Sequence, residues 1–141
     1  MTKKIIYKQQ NNKLAVMSWA PHLTAAEAVN ELPEGTQYII VSDTAMPPAE
    51  DLADFFEAMR VDFNSGLITF DITDARTITK ARLRKERLSK LEANDICLRD
   101  AMLENDAEKI AAAIVERNRL RDITLLVDAK NTLGELRNLH P

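Results

Sequence analysis

The chain has 141 residues, 45% of them hydrophobic and 29% charged, enough to bury one moderate core or two small units. Its formal net charge of -3 supplies no global positive field for nucleic acid or an anionic membrane. No apolar run approaches the ~20 residues that span a bilayer, and the one cysteine, Cys97, excludes an internal disulfide and a cysteine-built metal site.

The opening Met1-Thr2-Lys3-Lys4-Ile5-Ile6-Tyr7 turns polar too soon for a signal peptide, so a cytosolic protein is expected. Lys4-Ile5-Ile6-Tyr7-Lys8 and Leu14-Ala15-Val16-Met17-Ser18-Trp19 are β-prone runs around the polar stretch 9–13, which predicts a β-hairpin. Thr24, with Glu27 three residues on, can close a capping box at the start of a short helix over 25–32, and Pro33-Glu34-Gly35 ends it. Gln37-Tyr38-Ile39-Ile40-Val41 is a nearly unbroken apolar run, which predicts a central strand or one covered on both faces. Two consecutive prolines make 43–48 a loop. A short helix over 49–56 would turn Leu52, Phe55 and Phe56 inward, and Met59-Arg60-Val61-Asp62-Phe63 then alternates with period two. A turn at 64–66 leads to a last strand, Leu67-Ile68-Thr69-Phe70, for about five short strands in all.

From Thr73 no Gly or Pro occurs until Gly134, and helix formers dominate. Thr73 or Asp74 is a plausible N-cap. Leu88, Leu91, Leu98 and Met102 follow a three-four spacing that runs through Asp95, which marks a stripe for packing on a second helix. Asn105-Asp106 breaks the run. Asp106 can cap the next helix, whose apolar face is Ile110, Ala113, Ile114, Leu120 and Ile123, and so short a connection predicts an antiparallel hairpin. A carboxylate at Asp95 inside the seam would need a cation, and Arg117 and Arg121 are the nearest candidates. A terminal helix over 132–139 would dock through Leu133, Leu136 and Leu139. The expected fold is therefore α+β: a small β-rich unit over 1–72, then a long antiparallel helical hairpin with a short terminal helix over 73–141.

Little points to catalysis. His22 and His140 sit outside any motif, no acidic pair stands out, and three glycines in the whole chain leave no Gly-rich phosphate loop. No catalytic residue, metal or cofactor is assigned. Trp19, Phe55, Phe56 and Phe63 are expected in the core. The conspicuous charge feature is Arg76, Lys80, Arg82, Arg84, Lys85, Arg87 and Lys90, spread around the first long helix without an aromatic residue. It suits a solvated surface or an acidic protein partner better than nucleic acid, although a small nucleic-acid-binding regulator using 76–90 is the alternative reading. Arg82, Arg84, Lys85 and Arg87, within two turns, are the candidate partner-binding residues.

Several segments together resemble a group of small accessory proteins encoded beside tail and tail-fibre genes of tailed bacteriophages. They are Lys4-Ile5-Ile6-Tyr7-Lys8, Val41-Ser42-Asp43 before the proline loop, and Phe70-Asp71-Ile72-Thr73-Asp74-Ala75 leading to Arg82-Leu83-Arg84-Lys85-Glu86-Arg87. Asn105-Asp106-Ala107-Glu108-Lys109-Ile110, running on to Arg119-Leu120-Arg121-Asp122-Ile123-Thr124, completes the pattern. The group often carries a tryptophan after the proline loop, where this chain has Phe55, Phe56 and Met59. The resemblance implies a protein that binds phage tail or tail-fibre proteins, as an assembly chaperone or a minor tail component. It would work in the bacterial host cytoplasm during assembly or in the virion tail, with self-association compatible with either role.

Overall fold

A computed structural model describes residues 2–141, which fall into two compact units, 2–71 and Ile72–Pro141. In the first unit β1 (Lys3–Lys8) and β2 (Leu14–Met17) form the expected antiparallel hairpin. Its turn closes through Gln9 N–H to the Lys13 carbonyl at 2.8 Å, with Asn12 in the left-handed region at φ 64°. α1 (Ala25–Asn30) begins with the predicted capping box: Glu27 N–H donates to Thr24 Oγ1 at 3.3 Å, and Thr24 N–H donates to Glu27 Oε2 at 2.7 Å. It stops two residues before Leu32.

β3 (Tyr38–Ser42) pairs antiparallel with β1, and the sheet order is β2-β1-β3. The apolar run thus makes an edge strand and not the central one. Ile40 is 42% exposed and Tyr38 is exposed as well, whereas β1 holds the middle with Ile5 and Ile6, on opposite faces, both fully buried. A run with no alternation conceals which face is inward. The register resolves it, because Val16, Ile6 and Ile39 form one cross-strand row, and all three join the same core.

α2 (Ala49–Phe55) follows the proline loop and runs into a single 3-10 turn, Phe56–Ala58. Phe55 is buried, while Leu52 and Phe56 pack on Ile6, Val41 and Met59. β4 (Met59–Val61) and β5 (Ile68–Phe70) form a separate antiparallel pair that adds Val61, Ile68 and Phe70 to that core. β4 is shorter than the period-two pattern suggests, because Asp62 starts the turn: its Oδ1 accepts from Asn64 N–H at 2.9 Å and Ser65 N–H at 3.3 Å. Gly66, at φ 74°, takes the positive-φ position that closes it.

The second unit is built on α3 (Ile72–Glu104), 33 residues long. Thr73 and Asp74, the expected caps, lie inside its first turn, where Asp74 suits the positive end of the helix dipole. α3 ends in a Schellman motif: Asn105 is left-handed at φ 58°, Asp106 N–H reaches the Ala101 carbonyl at 3.0 Å, and Asn105 N–H reaches that of Met102 at 3.2 Å. Asp106 then caps α4 (Ala107–Asp122) by accepting from Lys109 N–H at 3.1 Å. Two residues thus stop one helix and start the next. α4 continues as a 3-10 stretch, Ile123–Ala129, that the sequence pattern does not announce. α5 (Leu133–Arg137) docks through the fully buried Leu136 and is capped by Thr132, which accepts from Glu135 N–H at 3.2 Å.

α3 and α4 pack antiparallel, since Arg87 bonds the carbonyls of Leu120 and Arg121 while Asn94, further along α3, bonds that of Ala113. The seam differs from the expected stripe. Leu83 and Ala101 are buried and Arg87, Leu91, Asn94 and Leu98 half-buried, but Leu88 and Met102 are each 59% exposed. On α4, Ala113 and Leu120 are buried and Ile110 and Arg117 half-buried, with Ile114 turned outward. Small residues set the seam, because Ala101 and Ala113 let the backbones approach and Asn94 Nδ2 spans the gap at 2.8 Å. Asp95 therefore lies on the exposed side, where water solvates it, and among the described residues neither Arg117 nor Arg121 pairs with it.

Candidate protein-binding surface

The basic stretch of α3 divides into two sets of residues with different environments. Arg76 donates to the Lys130 carbonyl at 3.1 and 2.9 Å and to Asn131 Oδ1 at 3.0 Å, and Lys80 pairs with Asp128 at 2.8 Å. Arg82 bonds Glu86, the next turn's carboxylate, and also donates to the carbonyls of Leu136 at 3.1 Å and Leu139 at 2.8 Å. Arg87 donates to the Arg121 carbonyl at 2.7 Å, and Lys90 to that of Pro141. Arg87 reaches carbonyls in the last turn of α4, Arg82 carbonyls at and beyond the end of α5, Arg76 and Lys90 carbonyls outside both helices and Lys80 a carboxylate, and together these contacts tie the C-terminal segment to α3.

Arg84 and Lys85 behave otherwise. Both are exposed and have no partner among the described residues. Of the four residues singled out from sequence, Arg82 and Arg87 have their hydrogen bonds directed inward, and Arg84 and Lys85 offer theirs to solvent. Leu88, one turn on, is exposed beside them.

The far end of the hairpin is acidic. Glu104, Asp106 and Glu108 gather around the loop, where Lys109 Nζ lies 2.8 Å from Glu104 and 3.8 Å from Asp106. The Glu104 hydrogen bond, then the charges of Glu104 and Asp106, hold the Lys109 ammonium above its ordinary pKa. Exposed apolar side chains accompany this end: Ile96, Met102, Leu103 at 81% exposure, and Val115. Periodicity alone places Met102 in the seam, which hides its exposure.

The first unit carries a cleft of about 510 Å³ lined by Lys8, Lys13, Leu14, Phe56, Arg60 and Phe63, among others. Phe63 is thus half-exposed at a cleft wall and not sealed in the core, as is Trp19 elsewhere in this unit. His22 and His140 are both exposed, His140 Nδ1 lying 3.6 Å from Glu86. Among the described residues no group of three side chains is arranged to hold a metal ion, and no helix is long and apolar enough to cross a membrane. No family model, curated protein or solved structure matches the chain.

Proposed function

We propose that this chain is an accessory protein of a tailed bacteriophage that binds tail or tail-fibre proteins, as an assembly chaperone or a minor virion component, in the host cytoplasm or the particle. The motif resemblance in both halves of the chain gives the biological setting. The observation that carries a protein-binding role is the exposed pair Arg84 and Lys85 next to Leu88 on a rigid helix, a charged site with apolar surface adjoining it. The rest of the basic stretch speaks against the nucleic-acid reading. Arg76, Lys80, Arg82, Arg87 and Lys90 are spent on internal partners, and two adjacent free cations do not make a phosphate-tracking stripe. Affinity purification of the tagged chain from cells producing phage particles tests the proposal, with recovery of a tail or tail-fibre protein as the supporting result. Recovery of nucleic acid in its place, lost as salt rises, supports the regulator.

A further inference from the structure

We propose that the cleft of the first unit is a separate binding site, for an extended acidic peptide segment that adds to the free edge of β2 and places an aromatic side chain in the cleft. This site lies wholly within the first unit and is independent of the exposed hairpin residues. The strand register shapes it. Ile6 and Val16 face the core, and side chains two residues apart share a face of a strand, so the cross-strand pair Lys8 and Leu14 points to that side as well. The end of the sheet thus directs one cationic and one apolar side chain toward the cleft. Phe56, Met59, Val61 and Phe63 line it with Leu14, of which Met59 is buried and the others half-buried. Its volume of about 510 Å³ is that of a ligand site, and its apolar lining, with two phenylalanines and a methionine, suits an aromatic ring.

The rim is basic. Lys8 and Lys13 are exposed, and their ammonium groups have no partner among the described residues. Arg60 joins them in the lining, oriented by Nη1, which donates to the Glu57 and Met59 carbonyls at 3.1 and 3.0 Å. Glu57 is the one carboxylate among the described lining residues, so the cations outnumber it. A segment that carries carboxylates beside a large apolar residue complements both the rim and the lining.

The backbone identifies the occupant as polypeptide. Lys8 N–H donates to the Gln37 carbonyl at 3.0 Å and Gln9 N–H to that of Lys13 at 2.8 Å, which fixes the phase of the ladders. Even-numbered residues of β1 bond β3, and odd-numbered ones bond β2 through Ala15 and Met17. The N–H and C=O groups of Leu14 and Val16 therefore point away from β1. Because β2 is an edge strand, they have no partner among the described residues. A strand added there bonds these groups, and the residue it sets opposite Leu14 has its side chain on Leu14's face, at the cleft. Carboxylates two residues to either side share that face and meet the basic rim. A nucleic-acid strand would leave the edge unpaired, and so small a group of cations gives no track for successive phosphates.

The test is fluorescence polarisation of a fluorescein-labelled peptide titrated with the full chain. The peptide has a central phenylalanine, a glutamate two residues to either side and threonines between. Saturable binding is expected, weakened about tenfold or more when the phenylalanine becomes alanine and, separately, when both glutamates become glutamine. N-methylation of the phenylalanine removes the donor to the β2 edge and should cost as much. Lys8→Glu with Lys13→Glu should weaken binding about tenfold or more at an unchanged melting temperature, because exposed unpaired charges contribute little to folding. The altered peptides read the site on the wild-type chain, so the outcome does not depend on the variant's folding. No saturable binding, an alanine, glutamine or N-methyl peptide that binds as well as the parent, or an indifferent Lys8/Lys13 variant each overturns the proposal. So does a single-stranded oligonucleotide that occupies the cleft more tightly than the peptide.

Discussion

Thr24 and Glu27 show what a single residue pair contributes at a helix start. Thr24's backbone N–H, then its hydroxyl, donate to the Glu27 carboxylate and hold its pKa below the ordinary 4.5. Asp62 is lowered in the same way, chiefly by Asn64 N–H. A carboxyl whose folded pKa is depressed stabilises fully above its unfolded value and loses that contribution as pH falls through the folded value. Glu27→Gln should therefore narrow its stability gap to wild type as pH drops from about 6 to about 3, in urea titrations at each pH. A gap constant across that window would show that the carboxylate does not matter. Such caps were legible because donor and acceptor lie within four residues. The arginine contacts were not. Arg82 and Arg87 bond backbone carbonyls 33 to 57 positions away, and a carbonyl leaves no mark in a sequence.

At the scale of elements, the hairpin and its turn were readable from helix formers, Asn105 and Asp106, while the face that packs was displaced by one position. Leucine spacing favours Leu88 and Met102, yet the seam is set by Ala101, Ala113 and Asn94, residues that a search for large apolar side chains passes over. Strand β3 was misplaced for a related reason, since an unalternated apolar run fits either a central or an edge position. The seam predicts two opposite mutational outcomes. Leu120→Ala, at a site 1% exposed, should cost about 2–5 kcal/mol by chemical denaturation. A loss under ~0.5 kcal/mol, typical of surface sites, would mean that the helices pack otherwise. Arg117 has a buried Nε with no hydrogen-bond partner among the described residues. Arg117→Met keeps much of the side-chain volume, removes the unpaired donor and should stabilise by about 1 kcal/mol, whereas a destabilised variant would imply that the guanidinium has a role in the seam.

For the whole molecule, an acidic protein of net charge -3 concentrates a basic stretch on one helix and then consumes most of it internally. What stays exposed and unpaired among the described residues of that stretch is small, Arg84 and Lys85 beside Leu88. The sequence could indicate the basic helix but not which cations were free, because that depends on where the C-terminal segment returns along α3. Reversing Arg84 together with Arg87 would confound binding with stability, since Arg87 holds the end of α4. Arg84→Glu with Lys85→Glu separates the two, because exposed unpaired charges contribute little to folding.

The most direct measurement is quantitative mass spectrometry of what co-purifies with the tagged wild-type chain and with the Arg84→Glu/Lys85→Glu variant from phage-producing cells. The account predicts that a tail or tail-fibre protein is recovered with the wild type and falls about tenfold or more with the variant, while the melting temperature stays the same. Equal recovery from both would move the partner site off the hairpin. Recovery of no tail protein at all would contradict the proposed role.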